Sequence, residues 1–482
     1  MLPAGHTWYE NYINIPGRET HCNENGMHVF SANLVADILI PLLRSKYRYE
    51  PYAKIWYSFQ ATHWQEYNGL YSVLRNVIAE MKVACQGAKG APQYVLGLAK
   101  AHGNNFTEAV ISTLEKDDQM QIHPTAFDAH PGLLNTPDGI YDLLTGEPEP
   151  NAPNDFCRQI TTVAPLDDED GAMCPRYLAH IKFMADGDEQ MAQYLEELSG
   201  YVLTGETFQQ EFYWFHGLPS TGKSSLAAVW LHILNPDGYG CMATQAQFAE
   251  TYSTPHPEQD MRLIGKRLVF VDELKGKFDE AKLKSFTSGN PVVAREMHGK
   301  SISYMPVCKL LFTSNNKPPI DGGDGGIGRR IKIFPFSRQI DKDMRIKDFD
   351  KVVLRAEAPY ILFRMMANAQ RVLERRGLVE VEKVELASSA YMHANDLLAQ
   401  FIMDCCTTDK YDTENTKNIF SAFSIWCGES GYDCPSQNKF GRMLNDAAYD
   451  LVRISGRYLR SGIKVRPEWN KKVELRAQSA YN

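Results

Sequence analysis

The chain has 482 residues, 44% of them hydrophobic, enough to bury the cores of about two to four domains. Its 51 Lys and Arg against 59 Asp and Glu leave a net charge of −8, which excludes a uniformly basic protein that coats nucleic acid. The ten cysteines form no C-x-x-C pair and no Cys/His ladder with zinc spacing, and there is no run of 18 apolar residues and no basic-plus-apolar leader, so a reduced cytoplasmic chain without a membrane span is expected.

Residues 1–125 read as a mixed α/β region. Trp8 to Glu19 reads as an arm or tail, and Ser31 to Tyr47 as helical with a break before Pro41. Ala53 to Tyr67, carrying Trp56 and Trp64, reads as a two-stranded hairpin, and Val73 to Val83 and Phe106 to Leu114 as helices. Further on, Phe183 to Ser199 has the spacing of one charged amphipathic helix.

The most informative stretch is Gly217-Leu218-Pro219-Ser220-Thr221-Gly222-Lys223-Ser224, which satisfies G-x-x-x-x-G-K-[ST] at every fixed position. The apolar run Phe212 to Phe215 precedes it as a buried strand, and Ser225 to Leu234 follows as a helix stopped by Asn235-Pro236-Asp237-Gly238. Glycines at these places let backbone amides of the loop, with Ser220, Thr221 and Ser225, wrap a phosphate at the positive end of a helix. Lys223 would reach the β- and γ-phosphates of ATP, and the Ser224 hydroxyl would hold Mg²⁺.

About fifty residues on, the apolar strand Arg267 to Val271 ends in Asp272-Glu273. A strand end beside a phosphate loop is where an α/β sheet carries its chemistry. Asp272 suits Mg²⁺ and Glu273 suits polarising a water. Lys309 to Ser314 is a third apolar strand, closed by Asn315, which either bonds the γ-phosphate or attacking water or simply opens the turn into Pro318-Pro319. Gly323-x-Gly325-x-x-Gly328 fits a dinucleotide fingerprint by letter, but a strand (Ile331 to Phe336) follows instead of a helix, so it reads as a flexible loop. Arg329 and Arg330 leave that loop.

Ala356 to Arg376 reads as helical and Glu380 to Ala387 as a charged linker; Cys405-Cys406 reads as a buried helical pair. At the C-terminus, Thr416 to Cys427 and Ser436 to Ala448 read as helices, and Leu451 to Ile454 with Ile463 to Val465 as strands flanking a basic turn. Helix, turn, helix, hairpin is the winged-helix order. Ten basic residues between 439 and 476, among them Lys439, Arg442, Arg453, Arg457, Arg460 and Lys464, face four acidic ones, a local charge of +6 that marks a nucleic-acid footprint.

The order of these motifs resembles the superfamily-3 helicases of viruses, phages and plasmids, most closely the phage/plasmid and poxvirus-type primase–helicase group. Leu133 to Leu143, Cys174-Pro175, Tyr201 to Gly205 and Lys284 to Arg295 are similar to further family segments, so the likeness runs from about residue 125 to 466. Gly289-Asn290 departs from the family's usual Gly-Asp. The resemblance implies an α/β multidomain chain with an AAA+-like P-loop ATPase core, a mixed N-terminal region with a helical collar, and a C-terminal winged helix. Its domains would be 1–125, a pre-helicase region with collar at 126–205, the core at 206–340, a helical extension and linker at 341–388, and a winged-helix-like DNA-binding domain at 389–482.

It further implies a homo-hexameric ring using ATP and Mg²⁺ to move on single-stranded and forked DNA, usually 3′ to 5′, as the replicative helicase of a phage or mobile element in its host's cytoplasm. Lys223, Asp272, Glu273 and Asn315 would be catalytic. The arginine finger falls best on Arg330, with Arg329 as competitor. Met297 to Ser301 reads as a turn between short strands, and the family's channel hairpin would lie there, with Lys300 on phosphate and His298 and Lys284 second. The first hundred residues offer no D-x-D on a strand, and Asp168-Glu169-Asp170 sits in an acidic loop, so a separate primase or polymerase is the expected partner. The alternative reading is a DNA-stimulated ATPase acting as loader, clamp or packaging motor without strand separation.

Overall fold

A computed structural model describes residues 31–87, 104–168, 172–250, 260–273, 276–295, 301–318, 320, 325–454 and 456–479. The expected arm at Trp8 to Glu19 and the turn residues His298 and Lys300 lie outside them.

Helix α1 (Ala32–Leu43) opens on the Ser31 hydroxyl, which accepts the Leu34 N–H at 3.2 Å. It does not break before Pro41. Proline removes one donor in the last turn, but Leu39, Ile40 and Leu43 are buried there, and Arg44 N–H still reaches the Ile40 carbonyl at 2.9 Å. Tyr47 is not helical: β1 (Tyr47–Glu50) joins β2 (Ile55–Phe59) and β3 (Trp64–Glu66) in an antiparallel sheet, so the expected hairpin gains a third strand. Helices α2 (Leu70–Gly87) and α3 (Asn104–Leu114) complete this region, α3 packing on α1.

Next come β4 (Leu133–Thr136), β5 (Gly139–Asp142) and β6 (Pro148–Glu149), an antiparallel sheet. Buried Asn135 ties this sheet to its surroundings, donating from Nδ2 to the Thr62 and Gln159 carbonyls at 3.1 and 3.0 Å, while its N–H reaches the Tyr239 hydroxyl at 3.0 Å. The single helix expected over 183–199 is two. Helix α4 (Pro175–Met184) stops, the chain turns through Asp186 (φ 55°) and Gly187 (φ 80°), and α5 (Glu189–Tyr201) restarts with Asp188 as its cap.

The centre is a five-stranded sheet of β7 (Phe212–Gly217), β8 (Gly240–Met242), β9 (Leu268–Val271), β12 (Lys309–Ser314) and β13 (Ile331–Phe336). Its order is β13-β7-β12-β9-β8 and every pairing is parallel. Such a sheet must be covered on both faces, and β7 alternates accordingly. Tyr213 and Phe215 enter a core shared with α5, with α6 (Lys223–Ile233) and with α9 (Ala358–Arg375). Phe212 and Trp214 enter the opposite core, with α7 (Glu280–Thr287), Ile327 of the short helical turn α8 (Gly325–Gly328), and Tyr391. A small hairpin, β10 (Val292–Arg295) with β11 (Ser301–Tyr304), precedes β12, its register running from Val292 opposite Tyr304 to Arg295 opposite Ser301.

The segment expected as a charged linker is the start of α10 (Glu382–Asn395), which crosses the expected 388/389 boundary without interruption. It caps the edge of the sheet: the Ser388 hydroxyl accepts the Ile333 N–H of β13 at 2.9 Å, and Lys332 pairs with Glu385. Its charges face solvent while Val384, Ser388 and Tyr391 are buried.

At the amino ends of β9 and β12 three cations are buried. Lys266 donates to the Asp237 carbonyl at 3.1 Å, to the Gly238 carbonyl and to Gln159, and burial pushes its pKa down to about 8. Arg267 donates to the Leu203, Leu133 and His130 carbonyls. Lys309 donates to the Thr204, Glu206 and Val307 carbonyls, and burial holds its pKa well below the usual lysine value.

The C-terminal unit holds α11 (Leu397–Cys405), β14 (Cys406–Thr407), β15 (Thr413–Glu414), α12 (Thr416–Ser430), α13 (Gln437–Asp446), β16 (Leu451–Ile454), β17 (Arg457–Ser461), β18 (Lys464–Val465) and α14 (Pro467–Ser479) around one core. Two expectations change. β16 pairs with β17, Leu451 opposite Arg460, whereas β18 pairs with β14, so residues 463–465 are not the second arm of that hairpin. Cys405 and Cys406 are both buried, but the helix ends between them.

Helices α5 and α9 cross backbone against backbone at Gly200. A Cβ on Gly200 would lie 2.3 Å from the Ala369 nitrogen. Glu197, buried in α5, receives Arg375 and the Val379 N–H (2.9 Å), and Glu196 pairs with Arg364 at 2.8 Å. Gly200→Ala is expected to force the two backbones apart and cost about 1–3 kcal/mol, read as a lower thermal midpoint of the full chain. An unchanged midpoint would refute this contact.

Candidate functional site: the cleft at the carboxyl ends of β7, β9 and β12

The loop after β7 is shaped by two glycines. Gly217 has φ 147°, and a Cβ there would meet the Phe336 carbonyl oxygen at 1.8 Å. Gly222 has φ 92° and presses against the His180 ring. Ser220, also at positive φ (61°), turns the chain between them, and α6 then begins at Lys223. Residues after β13 grip the loop from outside: the Ile340 N–H donates to the Ser220 carbonyl at 2.8 Å and Gln339 Nε2 to the Pro219 carbonyl at 2.9 Å.

Lys223 Nζ donates to the Gly217 and Leu218 carbonyls at 2.9 and 2.7 Å, to Thr221 Oγ1 at 3.1 Å and to Asn315 Oδ1 at 3.4 Å. Burial lowers its pKa, and the Asp272 charge opposes that shift. Asp272 Oδ1 accepts from Ser224 Oγ at 3.4 Å and from Thr313 Oγ1. Thr313 in turn accepts the Glu273 N–H at 3.3 Å. Ser314 is fixed by Trp214, whose indole N–H donates to its hydroxyl at 2.7 Å, so it holds the end of β12 in place.

Pro219 to Ser225, Asp272, Glu273 and Thr313 to Asn315 line one cleft. The structure therefore brings together Ser220, Thr221, Gly222, Lys223, Ser224, Ser225, Asp272, Glu273 and Asn315, with Gly217 at the base of the loop. Thr313 was missed. Its signal was the period of two: it stands two residues before Asn315 at the end of β12. Ser224 and Asp272 offer a hydroxyl and a carboxylate oxygen side by side, the hard donors that suit Mg²⁺.

The two arginines part company. Arg330 is buried, its Nη1 donating to the Gly326 carbonyl at 2.5 Å, so the guanidinium folds back on its own turn; Arg329 is exposed. Lys284 pairs with Glu280 one helical turn away, at 3.4 Å.

In the C-terminal unit Arg442, Arg453, Arg457 and Lys464 are exposed and Lys439 is half-buried. Arg460 is not a surface cation. It is buried and donates to Asn445 Oδ1, to the Tyr449 and Gly441 carbonyls at 2.8 and 3.2 Å and to Thr416 Oγ1 at 3.3 Å, pinning β17 to α13 and α12. Tyr458, unnoticed in the sequence, is exposed on the same hairpin with the Arg453 guanidinium 5.8 Å from its ring centroid.

A parallel sheet with a glycine loop and a helix N-terminus at the carboxyl end of a central strand is the architecture of a nucleotide-binding α/β core. Residues 36–186 match the family described as D5 N terminal like, and residues 215–330 match a family of unknown function, DUF5906. A protein of Acanthamoeba polyphaga mimivirus named as a putative helicase is 25% identical over 308 residues, 58% of this chain and 32% of that protein. The chain thus spans about a third of the relative's length. Two apo structures of the NrS-1 C-terminal region cover 88% and 86% of this chain, and 97% and 95% of their own, at 12% and 11% identity with TM-scores of 0.45 and 0.44. Among the described residues no helix is long and apolar enough to cross a membrane.

Gly217→Ala is expected to displace β13 from β7 and leave the chain folding poorly or melting several degrees lower, because its Cβ would meet backbone. A stable Gly217→Ala protein with an unchanged midpoint would contradict the geometry.

Proposed function

We propose that this chain is the motor of a superfamily-3 type DNA helicase from a phage or mobile element, a homo-hexameric AAA+-like ring that hydrolyses ATP with Mg²⁺ and moves on single-stranded DNA, probing forks 3′ to 5′. The observation that supports it most is the meeting of Lys223, Ser224, Asp272, Glu273 and Asn315 in one cleft. The loop amides and Lys223 would bind the triphosphate, Lys223 exchanging its bonds to the Gly217 and Leu218 carbonyls for phosphate oxygens. Ser224 and Asp272 would hold Mg²⁺, which supplies charge neutralisation of the phosphates when bound. Thr313 keeps Asp272 aimed, Glu273 orients and polarises the attacking water, and Asn315 contacts the γ-phosphate or that water. The finger that completes a neighbour's site is assigned to Arg329, since Arg330 is used within its own turn.

The β10–β11 register fits a hairpin whose turn, with Lys300 and His298, tracks a DNA backbone in the channel. The C-terminal unit is read as a winged-helix module for duplex DNA. Lys439 and Arg442 on α13, and Arg453 and Arg457 on the β16–β17 hairpin, would meet phosphates and base edges. A separate primase or polymerase would supply primers.

The deciding experiment is strand separation of a forked DNA with a single-stranded 3′ arm, in ATP and Mg²⁺. Wild type is expected to unwind it and Lys223→Ala to lose both unwinding and hydrolysis. Hydrolysis without unwinding by the wild type would favour a loader or clamp instead. For the C-terminal surface, the double variant Arg453→Ala/Arg457→Ala is expected to weaken duplex binding and to reduce the slope of log K against log salt by about two. Arg460→Ala is expected to destabilise the unit instead. An unchanged salt slope in the double variant would sink the assignment.

A further inference from the structure

We propose that His180 is a positioning residue for the phosphate loop, its Nε2–H donated to the Gly222 carbonyl so that the loop is held from the region preceding the ATPase core; this rests on the nucleotide-binding reading above. His180 belongs to α4, outside the 206–340 core, yet its Nε2 lies 3.1 Å from the Gly222 oxygen. The ring is also pressed against the loop itself: a Cβ on Gly222 would lie 2.4 Å from Cε1 and 3.0 Å from Nε2. The ring also meets that of Phe349, centroids 5.3 Å apart and tilted by 51°. A carbonyl can only accept, so the contact fixes the tautomer with its hydrogen on Nε2. Burial pushes the His180 pKa down to about 4, which keeps the ring neutral at ordinary pH.

The position matters because of the peptide that follows. The Gly222 carbonyl already accepts the Leu226 N–H at 3.1 Å, the first bond of α6. His180 fills its second lone pair. The Gly222–Lys223 peptide is planar and trans, so fixing its carbonyl aims the Lys223 N–H the opposite way, along the free amino end of α6 where a phosphate would sit. The loop's carbonyls thus divide into two sets. Those of Pro219, Ser220 and Gly222 are held by Gln339, Ile340 and His180. Those of Gly217 and Leu218 accept from Lys223 Nζ, Leu218 taking the Thr221 hydroxyl as well at 3.2 Å, and the two Lys223 bonds are the ones a phosphate would release. Phe349 lies on the same post-β13 stretch as Gln339 and Ile340, so the His180–Phe349 contact closes a bracket around the loop.

The test uses the full chain and three variants, with ATP titrated in steady-state hydrolysis and with thermal denaturation alongside. His180→Phe keeps the ring against Phe349 and loses the donor; His180→Gln keeps a donor at the same reach and loses the ring; His180→Ala loses both. The inference expects KM for ATP to rise about three- to ten-fold in the Phe and Ala variants, with kcat changed less than about two-fold, and to return to near wild type in the Gln variant. Wild-type KM in the Phe variant with an impaired Gln variant would mean that packing alone matters, and would overturn the inference. So would equal KM in all three. A wild-type chain that neither hydrolyses nor binds ATP would instead remove the nucleotide reading itself.

Discussion

The parallel pairing of β7 on both of its edges is the constraint from which the cleft follows. β7 is buried on both faces, and its register against β12 and β13 leaves no freedom at its carboxyl end. Thr313 stands opposite Phe215, and Phe312 opposite Val271, so Asp272, the residue that follows β9, arrives beside Thr313. A slip of one residue in either pairing would turn the Thr313 hydroxyl away from that carboxylate and send aromatic rings to the wrong core. The same pairing runs Gly217 alongside Phe336, which is why a hydrogen is the only side chain that fits there.

What could be read from the sequence was whatever is encoded locally. The glycine loop after β7, the apolar strands around it and the acidic pair after β9 are each written within a dozen residues, and each stands in the structure where its pattern put it. Thr313 was harder, because a threonine inside an apolar strand looks like an ordinary β-former until the neighbouring strand supplies Asp272. Arg330 and Arg460 were harder still. A cation beside a glycine-rich turn looks solvated in sequence, and only the folded chain brings the Gly326, Gly441 and Tyr449 carbonyls over the two guanidinium groups. The interrupted helix at 185–188 and the continuous one at 382–395 fail in opposite directions for one reason. Amphipathic periodicity bridges a two-residue reversal at Asp186-Gly187, and a run of charges hides the three buried positions of α10.

Charge is used in this chain as an internal fastener at least as much as a surface. Glu197 joins α5 to α9 and the residues after it, Lys332 links the sheet edge to α10, and Asn135 links the N-terminal sheets to the core through purely neutral bonds. Each long-range link crosses from one sequence segment to another that lies far from it, so the segments that flank the central sheet are part of its support.

The buried cations at the feet of β9 and β12 carry this further. Arg267 has its three carbonyl acceptors in residues 130–203, and Lys309 takes one of its own from Thr204. A fragment beginning at residue 206 would keep the whole cleft in its sequence and yet lose all three of the Arg267 acceptors and the Thr204 acceptor of Lys309. The sheet that carries the cleft is therefore not supported by its own segment alone. During synthesis, the hairpin and loops that emerge first wait for cations that arrive about sixty to a hundred and forty residues later.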